Sequence, residues 1–347
     1  MLLLRAVKLS LGIALSALLL SATAQAAEVT LKIHHFLPPK AVAQTKLLEP
    51  WAKRVEAQSN GRITVEIYPS MTLGGKPPQL YKQVRDGVVD LVWTVAGYTA
   101  GTFPRTEVFE LPFVHVNNAV ATNLAIQEMM ADELADDFKD IKPILVHVHS
   151  GQAVFTVDTP VRSPDDLKGK KIRIPSRTGG WMLEELGANP VGMPVPQLPP
   201  ALSKKVVDGA MIPFEVALPL KVPELTKYAT EGPNGERFGT AVFIFGMNRG
   251  KYEALPDDLK AVIDANSGIN IAGEIGDVWN AAEEPGKAAM LARGNEIIKL
   301  TPQELEVFRT RLEKVNQRWV AEATANGIDG QALLDKARAT IKKYSAQ

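Results

Sequence analysis

The chain of 347 residues contains no cysteine, which excludes disulfide bonds, thiolate catalysis and cysteine-ligated zinc. It also lacks an excess of charge of either sign, because 39 basic residues balance 39 acidic ones. A basic stripe of the kind that nucleic-acid-binding proteins carry is absent from the sequence. We therefore predict that the protein has no nucleic-acid partner.

The sequence also lacks an apolar run of the roughly 20 residues that a membrane-spanning helix needs. The N-terminal run Leu9–Leu20 is shorter, follows the basic residues Arg5 and Lys8, and precedes the small-x-small sequence Ala24-Gln25-Ala26. This pattern is typical of a secretory signal peptide. We predict that residues 1–26 are removed and that the mature protein lies in the periplasm without membrane insertion. An uncleaved anchor is the alternative.

Sequence signatures of catalysis are missing as well. The motifs GxSxG, HExxH, the P-loop and GxGxxG do not occur. The carboxylate pairs Asp165-Asp166 and Glu283-Glu284 lie in helix-start and surface-helix contexts, and we interpret them as solvated. We predict that the protein is not an enzyme, has no catalytic residues and uses no cofactor.

The chain has five histidines, four of which lie close together in two pairs. His147 and His149 are two positions apart on a predicted strand, so they face the same way and could hold a metal ion. Their valine neighbours favour packing or hydrogen bonding instead, and we predict no metal site. His34 and His35 are adjacent, so their rings point apart, but one of them could reach a ligand from the loop that follows.

Strand and helix patterns alternate along the whole chain, which predicts an α/β fold. The predicted strands are 29–36, 62–68, 88–95, 141–149, 152–158, 170–175, 206–213, 237–248 and 296–300. Helical patterns lie between them and at the C-terminus. In the helical pattern of 256–294 we expect Pro285 to break or kink the helix. Trp51, Trp279 and Trp319 occur at helical spacing among apolar residues, which favours core packing or packing between lobes.

The stretch 168–215 is the most informative part of the sequence. Arg173 lies on a predicted strand, on the opposite face from Ile172 and Ile174. Phe214 and Glu215 follow a second strand of the same sheet. Ligands of α/β sheets bind at strand ends, and an arginine there can hold a carboxylate by two parallel hydrogen bonds. A solvated charge on a half-exposed strand is the alternative for Arg173.

The residues after Arg173 favour the ligand-binding interpretation. Pro175 removes a backbone donor at the end of the strand, Gly179-Gly180 permits close approach of the backbone, and Trp181 supplies an aromatic wall. These are the features of a small-molecule cleft.

Two segments of the chain are similar to each other. Residues 86–95 and 204–214 each follow a helix, become an apolar strand and deliver an aromatic side chain, Trp93 and Phe214. This similarity suggests two α/β lobes that face each other, although it is short enough to arise by chance.

A set of motifs in consistent order covers nearly the whole mature chain. They are GRITVEIYPSMTLGG, VRDGVVDLVWTVAGY, FELPFV, DLKGKKIRIP, LGANPVGMP, VVDGAMIP and MNRGKYEALPDDLK. In these motifs the chain resembles the solute-binding proteins of TRAP transporters, the tripartite ATP-independent periplasmic family. The resemblance implies a two-lobed, periplasmic-binding-protein-like fold of class II type, with hinge strands and a long kinked helix. It assigns 27–150 plus about 239–278 to lobe I, and 151–238 plus about 279–347 to lobe II.

The resemblance also implies a site. Arg173, in KIRIP, matches the family arginine that binds the carboxylate of the ligand. Three other positions depart from the sialic-acid-binding pattern of the family: Ala153 replaces a second arginine, Ile212 an asparagine and Val95 a glutamate. Each departure removes a polar group, and an apolar lining rejects polyhydroxylated sugars.

We therefore predict an organic monocarboxylate as ligand, with an aromatic or branched body, and 2-oxo and 2-hydroxy acids among the candidates. The predicted ligand-binding residues are Phe36, His35, Trp93, Tyr98, Arg173, Arg177, Trp181, Val195, Phe214 and Glu215. Of these, Arg177 and Glu215 could bind a second polar group of the ligand or could be surface charges.

The resemblance names the membrane permease of a sodium-driven TRAP transporter as the partner, which receives ligand from the closed form. Two alternatives remain. One is a periplasmic α/β enzyme that uses His34, His35 or Glu215, for which the sequence contains no nucleophile–base pair. The other is a ligand sensor for a signalling partner.

Overall fold

Two β-sheets organise the protein in the computed structural model, which describes residues 27–346. The first sheet has the strand order β2-β1-β3-β10-β4. Its strands are β1 Val29–His35, β2 Ile63–Tyr68, β3 Leu91–Val95, β4 Ile141–Val148 and β10 Val242–Asn248. Strands β1, β2 and β3 are parallel, whereas β10 runs antiparallel between β3 and β4.

The second sheet has the strand order β11-β9-β5-β8-β6-β7. Its strands are β5 Ala153–Thr156, β6 Lys171–Ile174, β7 Asn189–Gly192, β8 Gly209–Ile212, β9 Tyr228–Glu231 and β11 Glu296–Lys299. Strands β6, β7 and β8 are parallel, and β5 is antiparallel to both β8 and β9. Each sheet with its helices forms one lobe, which confirms the predicted two-lobed α/β fold.

Helices connect the strands and cover the sheets. Among the described residues the α-helices are α1 Glu49–Gln58, α2 Leu80–Arg85, α3 Ala119–Met129, α4 Arg177–Glu185, α5 Leu198–Ser203, α6 Phe214–Ala217, α7 Arg249–Glu253, α8 Asp257–Ala265, α9 Ile269–Ala292, α10 Pro302–Ala325 and α11 Gly330–Ser345. The start of α10 is held by the predicted capping box, in which Thr301 and Glu304 bond to each other's backbone N–H. No helix of the described part of the chain is long and apolar enough to cross a membrane.

Of the two outcomes predicted for Pro285, a break does not occur, and a kink stays a prediction. Helix α9 continues through Pro285 to Ala292, and the predicted helical region 256–294 is interrupted earlier, before Ile269. The interruption lies at Gly268, whose φ of 57° and ψ of −131° lie outside the helical range. Pro285 has no N–H, so one carbonyl of the helix loses its hydrogen-bond donor. Because Pro285 borders an open groove, water can donate to that carbonyl instead.

The chain crosses between the lobes beside Gly151 and Arg237. Gly151 has a φ of +107°, and a Cβ atom at this position would lie 2.4 Å from the Cβ of Arg237. The two crossing segments therefore touch, which only glycine permits here. The long helix α9 spans the same junction, because it packs against α3 of the first lobe and α6 of the second.

The predicted core tryptophans are buried. Trp51 packs edge-on against Phe245 of β10 at a ring distance of 4.9 Å, and Trp279 and Trp319 are also buried. The predicted boundaries of the lobes stay a prediction. The final helix, α11, packs against α3 beside the first sheet, although the prediction assigned it to lobe II. The predicted signal peptide, 1–26, lies outside the described residues.

Candidate functional site: a cavity between the two lobes

An apolar cavity lies where the ends of the two sheets face each other. It contains about 390 Å³ of empty space, including the part open to solvent. Its lining residues come from both lobes and are Phe36, Leu37, Trp93, Val95, Tyr98, His149, Gln152, Arg173, Pro175, Val195, Met211, Ile212, Pro213, Glu215, Val216, Ala241 and Phe243.

Arg173 supplies the cationic group of the cavity. Its side chain extends from β6 and is 3% exposed. The Nε–H donates to the backbone carbonyl of Met193 at 2.9 Å, which fixes the plane of the guanidinium group. The buried Nη2 has no hydrogen-bond partner, and no carboxylate among residues 27–346 forms a salt bridge with Arg173. Burial lowers the pKa of Arg173, and nearby Tyr98 opposes this shift.

An unpaired buried cation of this kind requires an anion. An isolated charge in an apolar site is costly, whereas a carboxylate can accept two charge-assisted hydrogen bonds from one guanidinium group. The cavity therefore favours a ligand that brings its own carboxylate.

Aromatic rings form one wall of the cavity. Trp93 lies between Phe36, at a ring distance of 5.2 Å, and Phe243, at 4.7 Å, and is stacked with both. The indole Nε1–H of Trp93 donates to Nε2 of His147 at 3.0 Å, which anchors the ring from behind. Burial lowers the pKa of His147 to about 3, so this imidazole is neutral and serves as the acceptor. Flat, fixed rings at these spacings suit a planar apolar ligand.

Tyr98 closes the cavity by linking the lobes. Its hydroxyl oxygen accepts a hydrogen bond from the backbone N–H of Val195 at 2.8 Å. Burial raises the pKa of Tyr98, so the phenol stays neutral. Further contacts between the lobes lie nearby. Arg177 of α4 forms a bidentate salt bridge with Glu107 at 2.7 and 2.6 Å, and Thr178 donates to the buried carboxyl group of Glu110.

Glu215 is the acidic group of the cavity. It lies in the first turn of α6 and is 7% exposed. Burial, together with the nearby charge of Glu283, raises the pKa of Glu215 to about 8. Glu283 lies on α9, and its Oε1 accepts from the backbone N–H of Glu215 at 3.1 Å.

The interpretation of Glu283 as a solvated carboxylate is wrong, because Glu283 belongs to a buried cluster of charges next to the cavity. Arg237 donates to Glu283 Oε2 at 2.8 Å and also forms a salt bridge with Glu231. Lys287 approaches Glu231 at 3.3 Å. We call these four residues, Glu231, Arg237, Glu283 and Lys287, the hinge cluster, because Arg237 touches the crossing segment at Gly151.

Six of the ten predicted ligand-binding residues line the cavity: Phe36, Trp93, Tyr98, Arg173, Val195 and Glu215. The other four do not. His35 is buried and bonds to Gln44 at 2.9 Å. Phe214 points away from the cavity and packs against Phe155 at 4.9 Å, where Gly286 of α9 leaves room for it.

Arg177 and Trp181 also lie outside the cavity. Helix α4 turns both side chains towards a separate outer surface, where Trp181 lies between the guanidinium groups of Arg177 and Arg318 at 4.9 and 4.2 Å. The salt bridges of Arg177 to Glu107 and Glu322 give it a structural role there.

Sequence reasoning missed several lining residues. Phe243 comes from the late strand β10, which the tertiary fold inserts between β3 and β4. His149 also lines the cavity, whereas the sequence favours a packed or hydrogen-bonded role for it and does not predict it at the site. Its Nδ1 accepts from the backbone N–H of Gly151 at 2.9 Å, and burial holds its pKa well below the ordinary value. Of the three departures from the sialic-acid pattern, Val95 and Ile212 line the cavity, and Ala153 does not.

Known proteins similar to this chain over most of its length are solute-binding proteins. The model of the family "Bacterial extracellular solute-binding protein, family 7" matches residues 33–323. The chain is similar to a TRAP solute-binding protein from a marine metagenome, described as specific for aromatic acid ligands and solved with 3-hydroxybenzoate. The two are 45% identical, the match covers 92% of this chain and 99% of that one, and the TM-score is 0.90.

Two further relatives bind acids according to their descriptions. A TRAP solute-binding protein from Rhodoferax ferrireducens, solved with copurified benzoate, is 44% identical, with 91% and 98% of the two chains covered and a TM-score of 0.89. The C4-dicarboxylate-binding periplasmic protein of Rhodobacter capsulatus is 26% identical over 325 residues, which is 90% of this chain and 92% of that protein.

Proposed function

We propose that this chain, which belongs to bacterial extracellular solute-binding protein family 7, binds a small aromatic monocarboxylate in the cavity between its lobes. The family predicted from the motifs is confirmed, and the chain is a TRAP solute-binding protein for small organic acids. Arg173 holds the ligand carboxylate, while Phe36, Trp93 and Phe243 enclose the ring. The observation that carries this proposal is the buried Nη2 of Arg173, which has no partner among residues 27–346.

Closure of the lobes follows from the same contacts. The ligand touches both lobes only when they are closed, so its binding shifts the open–closed equilibrium towards the closed form. Arg173 belongs to the second lobe, and the aromatic wall belongs to the first. The closed protein, which we propose acts in the periplasm, then delivers its cargo to a membrane permease of the TRAP type that uses a sodium gradient.

A transport role without turnover is supported by the relatives, which are solute-binding proteins and not enzymes. The histidines of the enzyme alternative have structural partners. His34 bonds to Gln83 at 2.8 Å, His35 bonds to Gln44, and neither lines the cavity.

The experiment that tests this function is calorimetric titration of the mature protein with benzoate. We expect Arg173→Ala to lower the affinity at least tenfold, which corresponds to about 1.4 kcal/mol or more. The matched control is Arg318→Ala, which removes an arginine outside the cavity that pairs with Glu184 at 3.0 Å.

Equal affinities of wild type and Arg173→Ala would refute the role of Arg173. Failure of the wild type to bind benzoate, 3-hydroxybenzoate or mandelate, combined with binding of a sugar acid, would refute the aromatic ligand class. A thermal-shift screen detects which of these acids bind, because a ligand at 100 times its dissociation constant stabilises the folded protein by about 2.7 kcal/mol.

A further inference from the structure

We infer that polar groups on the two segments that cross between the lobes bind a hydroxyl group on the aromatic body of the ligand. These groups are the side chains of His149 and Gln152 and the backbone N–H of Ala241, and all three residues line the cavity. We call them the crossing subsite. The inference rests on the proposed function and adds the class of aromatic acid, because the cavity then prefers a hydroxylated ring.

Both ring nitrogens of His149 face backbone N–H groups. Nδ1 lies 2.9 Å from the backbone nitrogen of Gly151, and Nε2 lies 3.3 Å from that of Ala241. Burial lowers the pKa of His149, so the imidazole is neutral and has one lone pair and one N–H. The shorter contact places the lone pair on Nδ1 and the hydrogen on Nε2. The Nε2–H of His149 and the N–H of Ala241 are then neighbouring donors, and neither has an acceptor within residues 27–346.

The side chain of Gln152 is also without a partner. Its backbone N–H donates to the carbonyl of Gly239 at 2.7 Å, and its backbone carbonyl accepts from the N–H of Phe238 at 3.3 Å, so the two crossing segments are bonded to each other here. Gln152 is 3% exposed, and its side-chain amide forms no hydrogen bond with the described part of the chain. A buried amide costs free energy unless it is hydrogen-bonded, so this group requires a partner inside the cavity.

The crossing subsite lies away from Arg173. Gln152 directly precedes β5, and the strand order β5-β8-β6 places Arg173 two strands away. Neighbouring strands lie about 4.8 Å apart, so the backbones of the two residues are about 10 Å or more from each other. The aromatic wall lies next to the subsite, because the ring of His149 meets that of Phe243 edge-on at 5.7 Å, and Phe243 stacks on Trp93. A carboxylate on Arg173 therefore leaves the subsite to the body of the ligand.

A hydroxyl group matches the hydrogen-bonding groups of the crossing subsite. Its oxygen can accept from the N–H groups of His149 and Ala241 while its hydrogen is donated to the amide oxygen of Gln152. A methyl group offers none of these bonds and would leave the buried polar groups unpaired. Sites built in this way discriminate strongly against the analogue that lacks the hydroxyl group.

The first test is calorimetric titration of the wild type and does not depend on the folding of any variant. It compares 3-hydroxybenzoate with 3-methylbenzoate, and 4-hydroxybenzoate with 4-methylbenzoate. The methyl group is similar to the hydroxyl group in size but forms no hydrogen bond. We expect the hydroxylated acid to bind at least tenfold more tightly in at least one of the two pairs. A preference below tenfold in both pairs overturns the inference.

The second test repeats the preferred pair with Gln152→Leu, which keeps the approximate volume of the side chain and removes its amide. We expect the ratio of the two affinities to fall at least fivefold. The matched control is Gln317→Leu, which changes an exposed glutamine of α10 and should keep the ratio of the wild type. If Gln152→Leu weakens the hydroxylated and the methylated acid by the same factor, the subsite does not recognise the hydroxyl group and the inference is wrong.

Failure of this inference is distinguishable from failure of the proposed function. If benzoate binds in an Arg173-dependent way but neither hydroxylated acid is preferred, only the crossing subsite is wrong. If the wild type binds none of these aromatic acids, both the proposed function and the inference are wrong.

Discussion

Two arginines of this protein are almost equally buried and yet have opposite surroundings. Arg173 in the cavity is 3% exposed and Arg237 at the hinge is 4% exposed. Arg237 has salt bridges to Glu231 and Glu283 and donates to the carbonyl of Gly235 at 2.7 Å. Arg173 has one backbone acceptor, and within residues 27–346 no carboxylate forms a salt bridge with it. Both arginines are buried, so the missing counterion is the feature that supports our proposal of ligand binding by Arg173.

The two arginines differ in the source of the anion that neutralises each charge. Arg237 is neutralised by the chain itself, so its cluster holds the two crossing segments and α9 together whether or not ligand is present. No carboxylate in the described part of the chain pairs with Arg173, and we propose that a bound ligand neutralises its charge. We therefore propose that the same chemical group has a structural role at the hinge and a ligand-binding role in the cavity.

The largest expected effect is on the free energy of unfolding and concerns Arg237. Arg237→Ala leaves Glu231 and Glu283 buried without their cation, and breaking a buried pair in this way costs about 3–5 kcal/mol. We expect a loss of this size in the free energy of unfolding of the ligand-free protein, measured by urea denaturation. A loss below about 1 kcal/mol would mean that the hinge cluster is not a stability element.

The second prediction concerns the same measurement on Arg173. Arg173→Met removes an unpaired buried charge and keeps the volume of the side chain. We expect the free energy of unfolding to stay within about 1 kcal/mol of wild type, because the lost hydrogen bond to Met193 is offset by the removed burial penalty. Benzoate should stabilise only the wild type. A loss similar to that of Arg237→Ala would abolish the distinction between the two arginines.

A third arginine provides an intermediate case. Arg177 joins the lobes through Glu107 and is partly exposed, so its salt bridge contributes about 0.5–1 kcal/mol to the closed form. We expect Arg177→Gln to weaken benzoate and 3-hydroxybenzoate by the same factor, about two- to fivefold. Arg318→Gln is the control, since it also stacks on Trp181 but pairs within the second lobe. Unequal factors would indicate direct ligand contact by Arg177.

The smallest effect concerns pH. Glu110 accepts hydrogen bonds from Val242 N–H of the first lobe and from Thr178 of the second, and burial raises its pKa to about 7. The folded state therefore holds this proton more tightly than the unfolded chain. That contribution to stability is present at low pH and is lost as the pH rises to about 7.

The corresponding variant is Glu110→Gln, which cannot ionise. The difference in melting temperature, variant minus wild type, should become more positive between about pH 5 and pH 8. A constant difference over this range would mean that Glu110 does not titrate in the folded protein.

The sequence by itself determined the α/β fold class, the buried tryptophans and the family, and it predicted the role of Arg173, which stays a prediction. These follow from local patterns: alternation on strands, capping boxes such as Thr301–Glu304, and a motif around residue 173. Such signals depend on neighbours within a few positions of the chain, so they are readable without the fold.

Only the tertiary structure decided which side chains meet in the cavity. Phe243 reaches the aromatic wall because β10 inserts between β3 and β4, about 150 residues away from Trp93 in the chain. Arg177, Trp181 and Phe214 were displaced from the site by a salt bridge between the lobes and by packing against α9. The physical reason is that contacts between residues distant in the sequence set the direction of a side chain beyond the end of a strand. Local sequence patterns contain no information about such contacts.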